Sequence, residues 1–115
     1  MAFFKGVPVA ISGTGMYVPD RVLTNEDLSR MVDTSDEWIR ERTGIRRRHI
    51  AEAGELTSEV ALKAGRAALE AAGLVPSEID MVMVATNSPD TLFPGVAPKV
   101  QGMLGAGRAG AFDVQ

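Results

Sequence analysis

The sequence predicts an α/β chain with a mainly parallel central sheet, and three observations carry that expectation. "IDMVMVATN" is apolar throughout over a strand's length, as in a central strand covered on both faces. A long helical pattern, "TSEVALKAGRAALEAAG", precedes it, and a second one, "VAPKVQGMLG", follows it. The stretch "AGAFDVQ" is then apolar again. Strand, helix and strand at this spacing imply a parallel pair with a right-handed crossover, layered with helices on at least one sheet face.

Each element has its own signals. "VPVAISGTGMYVP", Val7 to Pro19, reads as a strand, with Gly13 and Gly15 placed where backbone must pass close by. Thr24 is the expected N-cap of a short helix, with Glu26 and Asp27 in its first turn, where acids complement the helix dipole. "TSDEWIRERTG" starts another helix: Thr34 and Glu37 have capping-box spacing, and Gly44 supplies the stop. "IRRRHIA" alternates weakly and reads as a short strand or ribbon flanked by solvent. From Thr57 to Gly73, Ala61, Ala64, Ala68 and Ala71 recur at helical steps beside Leu62 and Leu69. Such a small-residue face implies close approach to a neighbour; Gly73 ends the helix and Pro76 blocks its continuation. "SPDTLFPG" is a loop in which Asp90 serves as a turn residue. Pro98 is tolerable only within the first turn of the helix that follows. Met81, Met83 and Met103 read as core filling.

Composition narrows the function classes. A chain of 115 residues has room for one domain with a core of ordinary size. Its 45% hydrophobic and 23% charged residues are those of a soluble globular protein. No apolar run approaches the roughly 18 residues of a membrane span, and "MAFFKGVPVAISG" lacks the pattern of a signal peptide. Cytoplasm is the default location. A net charge of −3 argues against general nucleic-acid binding, including RNA binding through Arg46 to Arg48. With no Cys there is no thiolate metal site and no cysteine nucleophile in these residues, and a single His excludes a histidine-rich metal site.

Between Asp33 and Ile50 the chain gathers its only Trp, its only His and five Arg. On a helix, Trp38 and Arg42 are four residues apart and share a face. An indole and a guanidinium so placed can sandwich a flat base, while the guanidinium fork binds phosphate. The alternative is a Trp packed on the domain, with solvated Arg neighbours stabilised by Glu37 and Glu41. "GTG" at Gly13 to Gly15 is not a dinucleotide fingerprint, since no third Gly follows and no helix opens there. His49 reads as a hydrogen-bonded surface residue. Phe93, a large apolar side chain in a Pro-bounded loop, packs either on a partner subunit or back onto its own domain.

"GTGMYVPDRVLTNEDLSRMVDTSDEWIRERTGIRRRHIA", "AALEAAGLVPSEIDMVMVATNSPDTLFPGVAPKVQGMLG" and "AFDVQ" occur in order, and together they closely resemble the N-terminal region of the β-ketoacyl-acyl-carrier-protein synthase III family. The resemblance implies the thiolase fold, of which residues 1–115 would form most of the N-terminal half. It implies a homodimer that condenses an acyl-CoA primer, usually acetyl-CoA, with malonyl-acyl-carrier protein to start fatty acid synthesis. Coenzyme A enters as the substrate thioester, with no separate cofactor, metal, nucleic acid or membrane partner. The family's catalytic Cys, expected a few residues past Gln115, and its His and Asn would all lie outside this chain. Trp38 and Arg42 match positions at the coenzyme A tunnel mouth, and Thr34 matches one near the adenine. Phe93 matches a residue that crosses the dimer interface and limits acyl chain length. Two alternatives share this region: a starter-unit ketosynthase or acyltransferase of secondary metabolism, and a non-catalytic CoA-binding assembly subunit.

Overall fold

Residues 6–115 are described by a computed structural model, so the first five residues of the stretch read above as lacking a leader lie outside the described residues. The elements run β1 (Val22–Thr24), α1 (Asn25–Ser29), α2 (Asp36–Thr43), β2 (Arg47–His49), α3 (Thr57–Ala72), a 3-10 turn (Pro76–Glu78), β3 (Met81–Ala85), α4 (Val96–Leu104) and β4 (Gly110–Val114). They form two groups. In one, β3 and β4 pair in parallel, in register from Met81 with Gly110 to Ala85 with Val114, as the sequence pattern requires. The connecting helix α4 packs on both strands and on α3. Pro98 sits within the first turn of α4, and α3 ends at a left-handed Gly73.

The other group is an excursion in which β1 and β2 pair antiparallel, Val22 opposite His49 and Thr24 opposite Arg47, with α1 and α2 between them. Thr24 caps α1 as expected, and Asp27 completes the capping box. On α2 the cap is Ser35 rather than Thr34, because the helix begins at Asp36 and the Ser35 hydroxyl accepts the Trp38 N–H. No capping box with Glu37 forms there. Gly44 ends α2 in the left-handed conformation.

Three expectations fail for related reasons. Val7 to Pro19 forms no strand, and Val7, Val9 and Ile11 are exposed. An apolar run becomes a strand only where a sheet edge receives it, and neither sheet here does. Yet Gly13 and Gly15 do meet a close neighbour, the small-residue face of α3. A Cβ on Gly13 would stand 2.6 Å from the Ala72 nitrogen, and one on Gly15 would overlap the backbone at Ala64 and Ala68. Second, β3 is covered on one face only: Met81 and Met83 are exposed on the other, beside Phe112 and Val114 of β4. Met103 is exposed as well, so among the described residues these methionines fill no core. Third, the core is thinner than ordinary. Among the described residues its buried apolar members are Ile39, Val96, Ala97, Val100 and Ala106.

Size measurements agree. The accessible surface is 8800 Å², against about 6000 Å² for a compact protein of this mass. The radius of gyration is 18.2 Å, against about 13 Å for a compact domain of this length. Much of the extra surface is apolar and open to pairing or packing. The 115-residue chain purified alone is therefore expected to bind hydrophobic dyes and to show no sharp heat-absorption peak in scanning calorimetry. A cooperative transition from a monomer would contradict this.

Candidate functional site

The α2 helix presents the first group of candidate residues. Its only buried residue is Ile39, which anchors it to the excursion. Trp38, the residue before it, faces outward and is 57% exposed, so its indole is not packed among the described residues. One turn on, the Arg42 guanidinium lies 5.7 Å from the centroid of the indole ring. At an exposed site such a cation–π contact contributes about 0.5–1 kcal/mol. Inserting a flat ring between the two planes needs roughly 7 Å, two van der Waals layers. As it stands the pair leaves no room for a ring between indole and guanidinium.

Charge around this pair is unbalanced. Arg40 pairs with Asp36 one turn back, Nη1 to Oδ2, at 3.3 Å. Among the described residues Arg42, Arg46 and Arg47 form no ion pair, so Glu37 and Glu41 do not neutralise Arg42. Arg48 is committed to the interior, where it donates to the Leu23 carbonyl at 3.2 Å and to the Asn25 side chain at 2.7 Å. Thr34, half-buried, lines a groove of about 590 Å³ with Thr24, Asn25, Glu26, Asp36 and Arg46. A second groove holds Glu37, Arg40, Glu41 and Arg46. Trp38 and Arg42 line neither groove; they form an open platform beside them. The His49 Nδ1–H donates to the Pro19 carbonyl at 2.6 Å, a surface hydrogen bond as the sequence suggested.

Phe93 belongs to a different place, the loop between β3 and α4. It is 92% exposed and Leu92 is 88% exposed. The segment that carries them is nonetheless tied at several points. The Thr57 hydroxyl donates to the Ser88 carbonyl at 2.7 Å, and the Thr91 hydroxyl to the Pro94 carbonyl at 2.8 Å. The Asp90 carboxylate accepts the Ser58 N–H at 3.1 Å and faces the Lys99 ammonium at 3.5 Å. At the far end the Asp113 carboxylate reaches across from β4 and accepts the N–H groups of Val96 and Ala97, each at 2.6 Å. It caps α4 in place of Gly95, which has no side chain to do so; a Cβ there would collide with the carboxylate. The Thr86 N–H donates to the Val114 carbonyl at 3.1 Å, so β4 ends beside the start of this loop. Among the described residues no cluster of His, Cys, Asp or Glu could hold a metal ion, and no helix is long and apolar enough to cross a membrane.

Sequence reading missed Asp90 and Asp113 as anchors. Asp90 is no mere turn residue, since its side chain is 3% exposed. The available signals were an acid inside an apolar strand ("AFDV") and a helix opening on Gly, whose free N–H groups need an outside acceptor.

Architecture and comparisons converge on one class. The layered α/β arrangement is that of the thiolase fold, shared with solved ketosynthase structures. The curated β-ketoacyl-acyl-carrier-protein synthase III of Hyphomonas neptunium is 59% identical over 105 residues, which cover 91% of this chain and 32% of that relative. Over that span the chain is homologous to β-ketoacyl-acyl-carrier-protein synthase III. The solved 3-oxoacyl-acyl-carrier-protein synthase III of Aquifex aeolicus VF5 is 48% identical with a TM-score of 0.83, covering 90% of this chain and 33% of that one. The priming β-ketosynthase of the R1128 polyketide biosynthetic pathway is 40% identical, also at 0.83, covering 90% of this chain and 31% of that one. No protein-family model matches. The chain thus spans about a third of the length of the curated relatives it matches.

Burial pushes the Asp90 carboxyl up, but the Ser58 hydroxyl and N–H and the Lys99 ammonium outweigh it and hold the group below its ordinary value of 3.8. A carboxyl depressed on folding stabilises the native state above its unfolded value, and that contribution disappears as pH falls through the folded value. In the intact protein Asp90→Asn should lower stability at neutral pH by about 1.5–3 kcal/mol, the range for hydrogen bonds to charged groups. The gap between parent and variant should close as the pH is taken below 3.8. Denaturant titrations across that range check both the size and the sign.

Proposed function

We propose that this chain is the N-terminal part of the first thiolase-like half of a homodimeric, cytoplasmic condensing enzyme. That enzyme joins an acyl-CoA primer, acetyl-CoA in the housekeeping case, to malonyl-acyl-carrier protein by decarboxylative Claisen condensation, starting fatty acid synthesis. The carrying observation is the exposed Trp38 with Arg42 beside it, in a chain this close to synthase III relatives. On this reading adenine stacks on the indole once Arg42 moves aside, and Arg42 meets the phosphates with Thr34 near the adenine. Stacking on an aromatic face needs only one exposed plane, so an open platform suffices.

The chemistry itself belongs to residues outside the 115, which include no Cys. There a Cys thiolate attacks the acyl-CoA carbonyl and expels the coenzyme A thiolate. Loss of carbon dioxide from the malonyl unit leaves a carbanion that attacks the resulting thioester and frees the Cys. A His and an Asn stabilise the developing oxyanion. This chain supplies the binding platform and the Phe93 loop. The loop's anchors hold an exposed apolar tip in a fixed place, which suits insertion into a partner subunit's acyl pocket. Coenzyme A is a substrate here, with no further cofactor.

A second reading has its own support. The likeness to a priming ketosynthase of a polyketide pathway matches the Aquifex one in TM-score, which favours a starter-unit enzyme of secondary metabolism as the rival. Turnover of a panel of acyl-CoA primers by the intact protein separates the two: preference for long or aromatic primers rejects the housekeeping role.

Two outcomes follow. Trp38→Ala in the intact protein should weaken coenzyme A binding by about 1–3 kcal/mol, the scale of base stacking, as measured by titration calorimetry. Phe93→Ala should raise the kcat/KM for hexanoyl-CoA relative to acetyl-CoA by about tenfold or more, the scale of discrimination by a hydrophobic pocket, as read from steady-state kinetics.

A further inference from the structure

Asn25 opens α1 on the chain surface, yet its side chain is buried, with only 1% of the residue exposed. A buried primary amide has two donor hydrogens and an acceptor oxygen to satisfy, and this one satisfies all of them. Nδ2 donates to Asp36 Oδ1 at 2.8 Å and to the Ile45 carbonyl at 2.7 Å. Oδ1 accepts from Arg48 Nη2 at 2.7 Å, and the backbone N–H donates to the Arg46 carbonyl at 3.3 Å. Asp36 is the first residue of α2, and Ile45 directly follows the Gly44 that ends it. One side chain therefore grips both ends of the helix that carries Trp38 and Arg42. The Asn25 amide, with some opposition from burial and help from Arg40, also holds the Asp36 carboxyl below its ordinary value.

Without that grip α2 would be held by Ile39, its one buried residue. A single apolar anchor leaves a helix free to roll about its axis. A roll of about 20° carries a side-chain tip about 2 Å, given a helix radius of roughly 5–6 Å with side chains. Stacking and phosphate contacts do not survive such a shift together.

We propose that Asn25 is a positioning residue of the nucleotide platform: it fixes the roll and axial position of α2 and so aims Trp38 and Arg42 at coenzyme A. This rests on the reading of Trp38 and Arg42 given under the proposed function. The test uses the intact protein, coenzyme A itself in calorimetry, and steady-state kinetics with acyl-CoA and malonyl-carrier protein. Asn25→Asp keeps the shape and the acceptor for Arg48 but removes both donors and sets a carboxylate against Asp36. Asp36→Ala removes one grip at a half-exposed position and leaves Asn25 in place. Asn25→Asp should weaken coenzyme A binding by about tenfold or more, with the loss appearing in the KM for acyl-CoA rather than in kcat or the KM for the carrier protein. Asp36→Ala should weaken binding by about threefold, and it decides alone if Asn25→Asp fails to fold. Coenzyme A affinity within about twofold of the parent in the folded variants, with Trp38→Ala clearly weakened, overturns the role of Asn25 alone. Equal losses in kcat and both KM values overturn it too, since they mark a merely structural residue. Unchanged affinity in Trp38→Ala removes the platform reading and this inference with it.

Discussion

The carboxylate of Asp113 joins the parts of the larger group. Its two oxygens accept the first free N–H groups of α4, so a residue of the sheet completes a helix whose own N-cap is glycine. A carboxylate at that end also meets the positive pole of the helix dipole. The consequences run both ways along the chain. Downstream, β4 is held under α4 in register with β3. Upstream, the last turn of the Phe93 loop has one fixed end, and Asp90 fixes its middle on α3. The thin apolar core of Val96, Ala97 and Val100 lies just behind this contact, where a misplaced helix start would open it.

A similar arrangement governs the excursion. It holds little buried apolar area beyond Ile39, so its geometry depends on directional bonds rather than on packing. Hydrogen bonds specify angles that hydrophobic contact leaves loose. Such an economy suits a surface element whose indole is left exposed. Both groups thus use a buried or half-buried polar side chain to set the position of an exposed aromatic one.

How much of this was legible in the letters varies with the range of the interaction. Local chemistry read well: Thr24 as a cap, Gly44 and Gly73 as stops, Pro98 in a first turn, and the parallel pairing of "MVMVA" with "GAFDV". Where two neighbours offered the same chemistry, as Thr34 and Ser35 do, the cap could not be chosen from sequence. The close approach of Gly13 and Gly15 was legible as a need for space, but not the absence of a strand around them, because pairing depends on a distant edge. Met81 and Met83 looked like core because hydrophobicity tells that a side chain seeks cover, not whether these residues supply it. At the site, Trp38 and Arg42 came together as helical spacing requires. Asp90 and Asn25 stayed hidden, since a polar residue in a loop or at a helix start looks the same in sequence whether its side chain is solvated or buried.

The bare side of the parallel pair has an evolutionary corollary. Met81, Met83, Phe112 and Val114 must fit whatever surface covers them, so a change in the volume of any one calls for an answering change in the covering layer. Glu37 and Glu41 on α2 are exposed polar residues with no apolar face to match. Across descendants of this chain the first set is expected to vary in concert with remote segments and the second to drift alone.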